Sequence, residues 1–268
     1  MSSNRFVFVV PCYNASKTIK QMLMSVFCQT HDNWLILIRD DMSTDDTISE
    51  IQQECRRMNV PVTFHMEGGS FNYANKTWDS HSSVDFDKPK VVVWENKEKF
   101  WEVKNVLSMI RSEYVQDDDI ICRLDGDDFL CYLCALQDIN KAYNESSCEV
   151  LWTAHRWADT WQNISNRMED DANPYRHPWV SSHLKTFRKY LINDVAEENF
   201  CGPDGEYIKR AGDQAIYLPV LYKSNKRFFL PKVTYYYTID MSPETFQTED
   251  AKFQANEAMF LRQRGFVK

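Results

Sequence analysis

Two apolar runs of strand length, at residues 6–10 and 34–38, are each followed by a polar loop and then by a segment with apolar residues at helical spacing. The first such segment carries Ile19, Leu23, Val26 and Phe27, the second Ile48, Ile51 and Cys55, and a third apolar run follows at 60–66. Asn14 or Ser16 can cap the first helix, and Asp45 or Ser43 the second. Strands joined through helices pair in parallel with right-handed crossovers, so the expected fold is α/β with a mostly parallel central sheet flanked by helices. In such sheets ligands bind beyond the carboxyl ends of the strands, which makes the residues at those ends the first candidates for chemistry.

The rhythm breaks at 67–90, a Gly-, Ser-, Asn- and aromatic-rich stretch that reads as an insertion or long loop. It resumes with a strand at 91–94, a helix carrying Phe100, Val103, Val106, Leu107 and Ile110, and a strand at 120–122. That last strand runs into Arg123-Leu124-Asp125-Gly126-Asp127-Asp128-Phe129, which leads into an apolar, helix-like segment. Carboxylates alternating along an extended chain reach one cation from the same side, and Gly126 lets a bulky anion approach the backbone. The stretch reads as a divalent-metal site for a phosphorylated ligand; the plainer alternative is a solvated acidic turn.

Composition narrows the class. With 43% hydrophobic and 14% aromatic residues in 268, the chain can bury a large core, so a globular protein is expected. A net charge of -8 disfavours a dedicated nucleic-acid surface and suits a metal held through carboxylates. No apolar run approaches the roughly 20 residues that span a bilayer, so a cytoplasmic protein without a transmembrane segment is expected, in the host cytoplasm if the chain is viral. Eight scattered cysteines, Cys131 and Cys134 among them, read as reduced packing residues.

Beyond Asn144 the pattern is looser. A strand is expected at 150–153, then a polar stretch at 156–178 with interleaved aromatics, and a segment at 183–190 in which Lys185 and Arg188 would sit on a solvated helix. A helix-like run at 212–221, a Tyr-rich strand at 228–239 with Pro231 at its edge or start, and an amphipathic helix over 249–264 follow.

Four motifs stand in order: Val9-Val10-Pro11-Cys12-Tyr13-Asn14, Asp40-Asp41-Met42-Ser43-Thr44-Asp45, Leu124-Asp125-Gly126-Asp127-Asp128 and Gly212-Asp213-Gln214. Together they resemble the family 2 glycosyltransferases of the GT-A fold, over roughly residues 5–130 and more patchily to about 240. Two departures are Met42, where the family usually has Gly after the paired acids, and Asn96-Lys97-Glu98-Lys99, which lacks the Gly of the family's Asn-x-Gly. The resemblance implies one domain over 1–268, with a nucleotide-sugar-binding half at 1–130, an acceptor and catalytic half at 131–240 and a helical tail at 241–268. It further implies metal-dependent, inverting transfer from a nucleotide-sugar, UDP-sugar favoured, to a hydroxyl of a glycan such as lipopolysaccharide or capsule, or of a hydroxymethylated base of phage DNA. The alternative is a non-catalytic nucleotide-sugar-binding or scaffold protein.

By the same resemblance Asp127 holds Mn2+ or Mg2+, Asp125 shares the metal or holds the ribose, and Asp128 either belongs to the cluster or caps the next helix. Asp41 is the acceptor for a uracil imide or else a turn carboxylate, while Pro11 and Tyr13 shape the base pocket unless Tyr13 merely packs. His183 is a third metal ligand or a partly buried residue, and Lys185 and Arg188 are diphosphate donors or solvated charges. Asp213 is the general base or a helix N-cap. Trp157, Trp161 and Trp179 are a sugar platform or core.

Overall fold

The computed structural model describes residues 3–66, 69–71, 89–158, 160, 162–238 and 247–268. Most of the stretch at 67–90, and Trp161, lie outside the described residues. The first half runs β1 (Phe6–Cys12), α1 (Ile19–Phe27), β2 (Trp34–Asp40), α2 (Thr47–Arg57), β3 (Val62–Met66), β4 (Gly69–Phe71), β5 (Val91–Glu95), α3 (Trp101–Ile110) and β6 (Ile120–Arg123). The second half adds β7 (Phe129–Leu130), α4 (Ala135–Ser146), β8 (Val150–Trp157), β9 (Lys185–Arg188), α5 (Gly212–Lys223), β10 (Arg227–Tyr237) and α6 (Glu249–Arg264).

The strands form one sheet in the order β4-β3-β5-β2-β1-β6-β9-β8-β10-β7. From β3 to β6 every pairing is parallel, as the alternation of strand and helix requires. β9 then runs antiparallel between β6 and β8, and β7 antiparallel to β10. Residues Phe6 to Val10 of central β1 are fully buried, because helices cover both faces. Phe6, Phe8 and Val10 pack with α1, α2 and α4, and Val7 and Val9 pack with α3 and α5.

Three expectations change. Phe129 and Leu130 do not begin a helix: they pair with Tyr236 and Tyr235, and α4 starts only at Ala135. The segment holding Lys185 and Arg188 is a strand, recruited between β6 and β8 by long-range pairing that helical spacing cannot reveal. Pro231 lies within β10, in the register shift between Leu230 and Val233 where an unpaired residue is tolerated. All eight cysteines are free, and no described helix is long and apolar enough to cross a membrane.

Parallel register brings the candidate loops together. Cys12 stands beside Asp40, Asp40 beside Glu95 and Val9 beside Arg123, so the loops after β1, β2, β5 and β6 leave the sheet at one rim.

Candidate active site

The acidic turn at that rim is tight because Gly126 packs against α1: a Cβ there would sit 3.0 Å from the Cβ of Cys12. Its three carboxylates have different surroundings. Asp125 pairs with the Arg123 guanidinium at 2.6 Å, and the same Nη2 reaches Glu102 Oε1 at 2.8 Å. Asp128, 1% exposed, accepts from the Tyr235 hydroxyl at 2.6 Å and from the Thr238 amide and hydroxyl, each at 2.8 Å. It does not cap a helix; it ties the turn to the end of β10. Burial, then the charges of Asp125 and Asp127, push its carboxyl up to about 7. Burial and Asp125 also raise Asp127.

Beside the turn opens a cavity of about 420 Å3, lined by Pro11, Tyr13, Asp41 and Asp125 among others. Asp41 also has a structural duty: Oδ1 accepts from Asn96 Nδ2 at 2.8 Å and the Phe100 amide at 2.7 Å, and Oδ2 from the Trp101 amide at 3.0 Å. The carboxylate thereby anchors the start of α3, and Oδ2, with one donor among the described residues, retains acceptor capacity on the cavity wall. Met42 takes φ 69°, the left-handed conformation that ordinarily favours Gly. Tyr13 is 49% exposed, with the Lys99 ammonium 3.6 Å from its ring centroid, so it stands free at the cavity mouth rather than packing in the core.

The cavity also gathers residues that the sequence reading did not select: Lys99, Glu102, Arg123, Lys209, Arg210 and, from α6, Ala251 and Gln254. Arg123 carried a signal, since a guanidinium ending an apolar strand must find acidic partners. Glu102 carried none; it belongs to the site because α3 passes over Gly212, where any Cβ would overlap its carboxyl group.

Asp213 lies in the first turn of α5 but is not its N-cap, which is Ala211. Its Oδ2 is 3.7 Å from the Lys185 ammonium, which also lies 3.3 Å from His183 Nδ1. Lys185 is 1% exposed, does not line that cavity, and faces Asp213 and His183. Burial lowers the Lys185 pKa while Asp213 opposes the shift. Burial and the Lys185 charge hold the His183 imidazole neutral. Its ring lies 4.6 Å from those of both Tyr235 and Tyr237.

Among the described residues no three His, Cys, Asp or Glu side chains converge as a metal set, so His183 does not join Asp125 and Asp127 in one. Arg188 falls away from the rim. It pairs in register with Ile120 at the start of β6, whereas Lys185 pairs with Arg123 at its end. Its guanidinium instead bonds the Asp118 carbonyl and covers Tyr143. Trp157 meets Tyr237 at 6.3 Å near the rim, while Trp179 packs on Tyr217 and Arg262 beneath it.

Residues 7–74 match the model for glycosyl transferase family 2. Over these residues the chain resembles that family. Its fold is similar to GT-A glycosyltransferases of known structure. Staphylococcus aureus TarS 1-349 in complex with UDP-GlcNAc matches with a TM-score of 0.66 at 17% identity, over 98% of this chain and 68% of that one. The same fragment in complex with UDP gives 0.61 at 20% identity, and there the chain spans only 65% of its neighbour's length. The mannosyltransferase PcManGT from Pyrobaculum calidifontis, in complex with GDP-Man and Mn2+, gives 0.58 at 12% identity over 98% of this chain and 74% of that one. No curated protein matches in sequence.

Proposed function

We propose that this protein is a family 2 glycosyltransferase that transfers a sugar from a UDP-sugar to a glycan hydroxyl with inversion, in a metal-dependent reaction in the cytoplasm. The observation that carries the reading is a continuous path of contact across the rim. Asp125 pairs with Arg123, Arg123 with Glu102, and Glu102 packs on Gly212, next to Asp213. In this reading the acidic turn and the proposed base, far apart in sequence, serve one site. The solved neighbours in complex with UDP-GlcNAc and with GDP-Man and Mn2+ support a nucleotide-sugar donor.

In this reading Asp41 Oδ2 accepts the imide N–H of the base and Tyr13 stacks on its ring. Lys209 and Arg210, on the cavity wall, receive the diphosphate as charge-assisted donors. Asp127 and Asp125 fit a divalent cation. Burial and the charge of Asp125 raise Asp127, so cationic charge there relieves an existing cost. Bound there, Mn2+ or Mg2+ supplies Lewis-acid neutralisation of the departing diphosphate. Asp213, its Oδ2 3.7 Å from the Lys185 ammonium, takes the proton of the attacking hydroxyl. An acceptor of neutral glycan type suits a chain of net charge -8, which repels duplex DNA.

The test is a nucleotide-sugar panel read by thermal shift with and without Mn2+, followed by transfer assays on the stabilising donor. Asp213→Asn is expected to keep donor binding while losing about 100- to 10,000-fold in transfer. Asp127→Ala is expected to abolish the Mn2+-dependent part of the shift. Wild-type transfer by Asp213→Asn would remove Asp213 from the role of base.

A further inference from the structure

The turn that presents Asp213 is held from outside by helix α6. Glu257 accepts hydrogen bonds from three consecutive backbone amides, those of Lys209, Arg210 and Ala211, at 2.9, 2.7 and 3.0 Å. Three residues past the turn's end, Gln214 receives a bond from Arg262 Nε at 2.9 Å, and the same guanidinium donates to the His177 carbonyl at 2.7 Å. Bonds from one helix therefore bracket Gly212 and Asp213 on both sides. Ala211, at the N-cap of α5, has no side-chain oxygen to offer, and the Glu257 carboxylate supplies negative charge at that helix end from a distant part of the chain.

The geometry is specific to one backbone shape. Three successive N–H groups reach a single carboxylate only if the turn curls around it, and any relaxation of that curl moves residue 213. The same turn directs Lys209 and Arg210 to the cavity. Ala251 and Gln254, at helical spacing ahead of Glu257, line that cavity too, so one face of α6 spans donor wall and base turn.

We propose that Glu257 is a positioning residue for the transfer reaction, setting the place of Asp213 by holding the 209–211 backbone; this rests on the reading of Asp213 as base. The effect falls on turnover rather than on donor binding, since a displacement of about 1 Å at a reacting group costs on the order of 100-fold.

The experiment measures nucleotide release from UDP- and GDP-sugars, with water as acceptor, for the full-length wild type and Glu257→Ala, Glu257→Asp and Glu257→Gln, using the donor that the wild type turns over fastest. Glu257→Gln keeps the length and an accepting oxygen; Glu257→Asp retracts the carboxylate by one methylene, and covers the case in which Glu257→Ala does not fold. Expected are a fall in kcat of at least about 10-fold for Glu257→Asp with donor KM within about twofold, and recovery to within about threefold of wild type in Glu257→Gln. Wild-type kcat in folded Glu257→Asp, or a rise in KM that accounts for the whole loss, overturns the inference. If Asp213→Asn also turns over at the wild-type rate, or if the wild type releases nucleotide from no donor, the reading of the site fails and takes the inference with it.

Discussion

The Tyr235 hydroxyl donates to the Asp128 carboxylate at 2.6 Å, with both groups shielded from solvent. This bond fastens the acidic turn after β6 to β10, the strand that also carries Tyr237. Tyr235→Phe deletes it without a change of shape and leaves a buried carboxylate short of one donor. The expected loss is about 1–3 kcal/mol of folding stability, read from urea unfolding. A midpoint equal to that of the wild type would show the bond to be energetically neutral.

Asp128 also makes stability depend on pH. Burial and then the charges of Asp125 and Asp127 push its folded carboxyl up to about 7, from the 3.8 of an unperturbed aspartate. The folded state therefore holds more protons than the unfolded one between those values. The stabilisation is fully present below about pH 4 and is lost as pH rises through about 7. Asp128→Asn is expected to flatten this part of the stability profile, measured by unfolding at pH 5 and pH 8.

Lys185 separates binding from turnover. Its ammonium faces Asp213 at 3.7 Å and His183 at 3.3 Å within the protein. Lys185→Met should leave UDP affinity, measured by calorimetry, within about twofold while lowering turnover by about tenfold, because the charge beside the proposed base is gone. A large loss of UDP affinity with turnover intact would instead return Lys185 to the diphosphate role.

Gly212→Ala tests the contact between the base turn and α3. The added methyl overlaps the Glu102 carboxyl, whose displacement breaks its 2.8 Å pairing with Arg123. Destabilisation of about 1–3 kcal/mol is expected, visible as a lower thermal midpoint. Pairing the change with Glu102→Ala should restore part of the loss by opening space for the methyl group.

Much of the first half was legible because its signals are local. Alternation of strand and helix gave the parallel block from β3 to β6, and the same order placed Pro11, Tyr13, Asp41 and Asp125 at one rim, where they share a cavity. Those inferences use spacings of two to four residues and the geometry of parallel crossovers. The second half resisted for the opposite reason. Whether Lys185 or Arg188 reaches the site depends on the register of β9 against β6, a pairing between segments more than sixty residues apart.

The amino-acid order alone determined that carboxylates end the strands of an α/β sheet, since apolar periodicity and acidic turns are written within a few residues. Only the tertiary structure decided what each charge does. Asp125 answers to Arg123 and Glu102, Asp128 to Tyr235 and Thr238, Lys185 to Asp213, and the base turn to Glu257. The role of a charged group is fixed by the partners within a few ångströms of it, and those partners are chosen by strand register and helix packing rather than by neighbours in the chain.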